Sequence, residues 1–277
     1  MRSATLFLLT ILPLGSNALL RAQTPQWTTA SCASGQGEMH GSWLRHWNDG
    51  RTCQLRHTEL ASTGLLKVEA DNGNITVIGE DRKNIAIEAR IVVDTSNEKD
   101  AAALLNRITI DTDGTIRARG PHFSGWLSHG GYSVDYDLRV PVAMAATVET
   151  ANGRVLVKNL QGTIRAASTN GSIALTDVSG DVHASTVNGG ISIHLDGKTW
   201  NGAGLKAETV NGGIKVSMPG GYSAHLKAST VNGGISVDFP VTVQGRIGHN
   251  LDANIGAGGA LIKMHTVNGG IQFERSE

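Results

Sequence analysis

Thr186-Val187-Asn188-Gly189-Gly190-Ile191 recurs without substitution at 209–214, 230–235 and 266–271. Looser copies stand at Thr150-Ala151-Asn152-Gly153-Arg154-Val155, Ser168-Thr169-Asn170-Gly171-Ser172-Ile173 and Ala70-Asp71-Asn72-Gly73-Asn74-Ile75. A short motif repeated this faithfully is first an architectural signal, because stacked units need the same turn at the same place. Asn and Gly enter positive-φ conformations most cheaply, so each copy is expected to mark a sharp change of chain direction.

After each Asn-Gly the chain alternates. Ile191 and Ile193, Ile214 and Val216, Ile235 and Val237, and Ile271 and Phe273 are apolar, with Ser192, Lys215, Ser236 and Gln272 between them. A period of two is the mark of a strand with one buried face. Each side chain so buried contributes roughly 1.5–3 kcal/mol, which makes these positions the expected core. Gly153, Gly162, Gly171, Gly180 and Gly189 fall nine residues apart, so two nine-residue strands make a unit of eighteen. Later units lengthen to twenty-three and twenty-one residues, and Gly233 to Gly269 spans a double-length unit. The constant unit predicts an all-β, single-domain right-handed β-solenoid with one short helix. The rival is an antiparallel β-sandwich, since Asn-Gly also closes two-residue hairpins.

At 277 residues and 40% hydrophobic content the chain can build a substantial core. Lys plus Arg equals Asp plus Glu at 24 each, which argues against electrostatic capture of nucleic acid or of an anionic membrane. Met1-Arg2, the apolar run Leu6–Leu12 and Pro13-Leu14-Gly15 read as a secretory signal peptide over 1–22, cleaved after Ala22. The run is shorter than the ~20 residues a spanning helix needs, so the mature chain is expected to carry no membrane span and to reside in the periplasm or at the cell surface. Cys32 and Cys53 are the only cysteines and lack CxxC spacing. In an oxidising compartment they read as a disulfide worth roughly 3 kcal/mol, with two free thiols the remaining alternative.

Residues 23–59 show little periodicity and read as an irregular N-terminal cap to a repeat domain over 60–277. The cap carries Trp27, Trp43 and Trp47 with His40 and His46 nearby; Trp43 and Trp47 could share one face of a short helix, covering the core end or stacking on sugar. Strands are predicted at 65–70, 74–79, 85–91, 108–111, 115–118 and 134–141. Thr95-Ser96-Asn97-Glu98 resembles a capping box ahead of Ala101-Ala102-Ala103-Leu104-Leu105, which predicts a helix over 97–107. Between Gly120 and Gly131 lies an unrepeated insertion, Pro121-His122-Phe123-Ser124-Gly125-Trp126-Leu127-Ser128-His129, expected to project as a loop; Trp126, Phe123 and His122 are candidate binding residues.

Asp135-Tyr136-Asp137-Leu138-Arg139-Val140-Pro141, Val148-Glu149-Thr150-Ala151-Asn152-Gly153 and the later Asn-Gly-Ile units resemble the bacterial β-strand-repeat family of unknown function often labelled candidate adhesin. The resemblance covers about residues 60–275. It implies an envelope protein with a solenoid-like fold and supplies no catalytic residues.

Other chemistry is poorly supported. Calcium-binding nonapeptides need an aspartate at a fixed place after the glycines, whereas Ser192, Lys215, Ser236 and Gln272 stand there. A polysaccharide-active β-helix enzyme needs paired carboxylates, and Asp177, Asp181 and Asp196 share no offset within the repeat. His183, His194, His225 and His265 also differ in offset, and no HExxH spacing, nucleophile elbow or phosphate-binding lysine loop occurs. No metal or cofactor is expected. Asn152, Asn170, Asn188, Asn211, Asn232 and Asn268 are expected to stack as a structural ladder whose amides bond to backbone, beside a hydroxyl row of Thr186, Thr209, Thr230 and Thr266. The function that follows is a non-enzymatic exported adhesin or assembly module, with envelope polysaccharide or envelope protein as partner. A β-helix enzyme and a periplasmic stress-sensing partner are the alternatives.

Overall fold

A computed structural model describes residues 25–32, 50–121, 130–238 and 248–276. The chain opens with β1 (Thr28–Ser31), β2 (Arg51–Ala61), β3 (Leu65–Asn72), β4 (Ile75–Glu80) and β5 (Asn84–Thr95), then α1 (Glu98–Leu105). There follow β6 (Thr109–Asp111), β7 (Ile116–Arg119), β8 (Gly130–Pro141), β9 (Ala145–Asn152), β10 (Val155–Lys158), β11 (Gln161–Asn170), β12 (Ile173–Thr176), β13 (Ser179–Asn188) and β14 (Ile191–His194). The chain closes with β15 (Gly204–Asn211), β16 (Ile214–Met218), β17 (Ala224–Asn232), β18 (Ile235–Val237), β19 (Asn250–Ile255), β20 (Leu261–Asn268) and β21 (Ile271–Arg275).

Two sheets face each other. One has the order β1-β2-β5-β8-β4-β10-β12-β14-β16-β21-β18 and the other β19-β17-β20-β15-β13-β11-β9-β3-β7-β6. Each Asn-Gly carries the chain from the second sheet to the first, so every coil adds one strand to each, in parallel with its neighbours. This is the solenoid; the sandwich built from Asn-Gly hairpins does not form. Among the described residues antiparallel pairing is confined to β1 with β2, β2 with β5, β5 with β8, β6 with β7, and β17 with β19.

The coils do not stack in chain order. β20 lies between β15 and β17, and β21 between β16 and β18, so the last coil made enters between the two before it. At the other end β7 and β8 form a terminal coil against β3 and β4.

Inward side chains stack in rows between the sheets. Ile75, Val155, Ile173, Ile191, Ile214 and Ile271 form one buried row, each on a strand adjoining the next. Val68, Val148, Ala166, Ala184 and Ala207 form another, continued by Met264 on β20. A period of two places one such row behind every second position.

The helix spans Glu98–Leu105, inside the predicted 97–107. Asn97 caps it by accepting from the Asp100 amide at 2.9 Å, and Ala101 and Leu104 are buried. Beyond its other end Arg56 donates to the carbonyls of Leu105, which also accepts from the Ile108 amide, and of Ile108, tying the exit of the helix to β2. Residues 51–59, aperiodic in sequence, belong to β2, which pairs with β5 along all eleven residues. Both faces of β2 are partly covered, so no polar face alternates with an apolar one. Cys32 and Cys53 form a disulfide that ties the end of β1 to β2. Among the described residues no helix is long and apolar enough to cross a membrane. The segment 1–22, read as a signal, lies outside the described residues.

Candidate functional site

The repeated corner is held by three stacked rows. Asn152, Asn170, Asn188, Asn211, Asn268 and Asn232 each donate Nδ2 to the Oδ1 of the preceding coil's asparagine at 2.8–2.9 Å, and the first acceptor is Asn72. The bonds therefore run amide to amide, where the sequence suggested amide to backbone; Asn152 alone reaches a carbonyl as well, that of Asp71 at 3.3 Å. Behind them Thr150, Ser168, Thr186, Thr209, Thr266 and Thr230 are buried and donate to glycine carbonyls one coil away at 2.8–3.0 Å.

The expected positive φ is found at the motif glycines Gly73 (141°) and Gly153 (158°) but not at Gly171, Gly189, Gly212, Gly233 or Gly269, which have another reason to be glycine. Among the described residues the positive-φ positions outside glycine are Asn159 and Asp177, both away from the ladder. At the ladder the constraint is space: a Cβ on Gly212 would sit 2.0 Å from the Gly189 carbonyl oxygen, and the same approach recurs along the stack. The next residue is freer, since a Cβ on Gly213 would meet its nearest neighbour at 3.2 Å, and Asn74, Arg154 and Ser172 occupy that place in other coils.

The ladder stops where the corner changes. In the terminal coil the link between β7 and β8 is the insertion, so no Asn-Gly follows. β7 pairs with β3 only through Val68–Ile116 and Glu69–Arg117, then continues alongside β6. Among the described residues this leaves Ala70–Asn72 without a strand on that side and opens a cleft of about 950 Å³, lined among others by Asp71, Asn72, Arg117, Arg119, Tyr132 and Tyr136.

Two donors in this cleft have no hydrogen-bond partner among the described residues. Tyr136 is 2% exposed, and its hydroxyl approaches the backbone of Ala118 without the geometry of a hydrogen bond. The Arg117 Nε is buried without a partner, while its Nη1 stands 3.8 Å from Glu69. Buried polar atoms of this kind ordinarily find partners. Burial pushes the Tyr136 phenol far up, helped by Tyr132 and Asp71, and burial and then Asp71 raise that of Tyr132. Both stay protonated at neutral pH and can donate. Asp71 and Glu69 add acceptors, so the cleft offers both halves of a hydrogen-bonding surface.

The candidate binding residues His122, Phe123 and Trp126 lie outside the described residues, as do Trp43 and Trp47. Their neighbours Pro121 and Gly130 line the cleft. Histidines that share no offset are brought near one carboxylate by the register: His183 contacts Glu208 at 3.2 Å, and His265 stands opposite Glu208 on the next strand. Burial alone would raise the Glu208 carboxyl; hydrogen bonds from Lys206 and His183 outweigh it and hold the group below the usual range. Among the described residues no three His, Cys, Asp or Glu side chains are placed to hold a metal ion. Sequence reasoning missed the cleft; its available signal was Arg117, Arg119, Tyr132 and Tyr136 alternating on either side of the unrepeated insertion.

Fold and corner together define a class, the two-sheet parallel β-solenoid with an asparagine-ladder corner. The chain belongs to the Toastrack DUF4097 family, which matches residues 64–274. A candidate cell adhesion protein of Clostridium sporogenes is similar in structure at 12% identity and TM-score 0.43, over 80% of this chain and 100% of that one. A candidate adhesin of Bacteroides fragilis (12%, TM-score 0.38) is matched over 80% and 97% of the two chains, and a candidate lipid-binding protein of Parabacteroides distasonis (10%, TM-score 0.34) over 83% and 98%. No curated protein matches the chain in sequence.

Proposed function

We propose that this protein is an exported, non-enzymatic binding module of the bacterial envelope, adhesin-like, and that the cleft at its terminal coil receives envelope polysaccharide. The observation that carries the reading is the pair of buried, unpartnered donors, Tyr136 Oη and Arg117 Nε, in a cleft that also holds Asp71 and Asn72. A sugar hydroxyl both donates and accepts, so it can satisfy donors and carboxylates placed together, and a buried donor left unmade costs about 1–3 kcal/mol. The rigid stack behind the cleft holds these groups in place. The apolar stretch at 1–22 and the Cys32–Cys53 bond, which suits an oxidising compartment, are what support the exported part of this reading.

The test is co-sedimentation of the protein with purified cell wall, membrane vesicles and polysaccharides, beside Arg117→Gln and Tyr136→Phe. Saturable binding to a polysaccharide fraction, weakened by both variants, is expected. Binding that neither variant changes would remove the cleft from the site, and conversion of the polysaccharide to shorter products would make the protein an enzyme.

A further inference from the structure

The outer face of the second sheet carries a feature that the equal charge totals conceal. In-register pairing sets Arg165 opposite His183, His183 opposite Lys206, Lys206 opposite Lys263 and Lys263 opposite Lys227, on five adjoining parallel strands. Neighbouring strands are about 4.8 Å apart, so basic side chains recur at that interval along the solenoid axis. Like charges directly opposite on adjacent strands are destabilising. The row therefore works against the fold it decorates.

The row is only partly neutralised. Lys206 and His183 both meet Glu208, at 2.7 and 3.2 Å, and Lys227 is held by Asp252 at 3.2 Å, but Arg165 and Lys263 have no ion-pair partner among the described residues. Its shape selects among polyanions. Its flanks are mixed: Asp181 stands two residues before His183 and Glu208 two residues after Lys206, while His225 and His265 stand two residues from Lys227 and Lys263. A flat anionic membrane would press on these carboxylates as well as on the cations. No Phe, Tyr or Trp stands in the row for a nucleobase to stack on. A linear chain with one charge per unit can follow the cations and avoid the carboxylates.

We propose that this row is a track for a linear acidic polysaccharide, a polymer bearing one carboxylate per sugar, lying along the solenoid axis and recognised by charge. The surface shares no residue with the cleft and stands or falls independently of it.

The full chain is titrated with polygalacturonate, neutral dextran, a single-stranded oligodeoxynucleotide and phosphatidylglycerol vesicles, at low and at higher salt. Expected is binding to polygalacturonate that weakens with salt, with none to dextran. Lys263→Gln and Arg165→Gln should each weaken it by up to about fivefold, and the double variant by more. Lys158→Gln, on the outer face of the other sheet, should leave it unchanged. Tyr136→Phe should leave it unchanged too, which separates this site from the cleft. Absence of polygalacturonate binding at low salt would overturn the proposal, as would equal loss in Lys158→Gln and Lys263→Gln, or tighter binding to vesicles or oligonucleotide.

Discussion

Asn268 donates its amide to Asn211 at 2.8 Å although 57 residues separate them, because the coil made last enters the stack between β15–β16 and β17–β18. Asn232 then donates to Asn268 at 2.9 Å. One side chain thus joins the body of the solenoid to its outermost coil. The ladder is both a register device and the lateral seam of this inserted coil.

Asn268→Ala removes two amide–amide bonds, while Asn232→Ala at the end of the ladder removes one. At about 0.5–1.5 kcal/mol for each bond, the first variant should lose roughly 1–3 kcal/mol and the second about half of that. Denaturant unfolding of both variants checks it. Equal losses would show that the ladder transmits nothing across the inserted coil.

The two glycines of the motif should separate cleanly. Gly212→Ala forces a methyl to within 2.0 Å of a carbonyl oxygen on the neighbouring coil, whereas nothing lies within 4 Å of a Cβ built on Gly234. Overpacking of a rigid stack costs about 1–3 kcal/mol or more, and neither backbone can yield without moving its own coil. Gly212→Ala should therefore lower the denaturation midpoint markedly and Gly234→Ala should leave it within about 0.5 kcal/mol of the parent. If both are tolerated, the carbonyl stack is not the constraint that keeps the motif invariant.

Much of this architecture is legible in residue order, and its limits have physical causes. Ile191, Ile193 and their counterparts announce the buried rows through their period, and the nine-residue glycine spacing announces the parallel coil. The insertion of the last coil is not legible, because the motif at 266–271 is identical to that at 230–235 and nothing in it says which coil it joins. The basic row, by contrast, is legible: Arg165, His183, Lys206, Lys227 and Lys263 each stand five residues before the asparagine of their coil, so in-register stacking lines them up whatever the coil order. β2 escapes because Arg51–Ala61 is half-covered on both faces. The cleft depends on β7 leaving β3 after two residue pairs, a divergence that no local pattern encodes.

All three tyrosines of the chain, Tyr132, Tyr136 and Tyr222, have phenols raised chiefly by burial, that of Tyr222 to about 12. A folded pKa above the unfolded value of about 10 means that the folded state holds its proton more tightly. Stability is then fully present below about pH 10 and is lost as pH rises through the folded values. In a spectrophotometric titration the folded protein should form phenolate later than the denatured chain, with unfolding setting in above pH 10. Superimposable folded and denatured curves would mean that none of the three is buried as described.

Tyr136 allows a sharper experiment. Its ring is packed in the core against β3 and β4, but its hydroxyl has no partner among the described residues, so the group contributes desolvation cost and no bond. Tyr136→Phe keeps the ring and deletes the orphan, and should raise stability by about 1 kcal/mol while weakening any polysaccharide held in the cleft. A gain in stability with a loss of binding is the pattern of a residue whose fold tolerates an unmade bond for the sake of a ligand. A loss of stability instead would show that the hydroxyl is already satisfied within the folded chain, and the case for the cleft as a binding site would then lose its principal support.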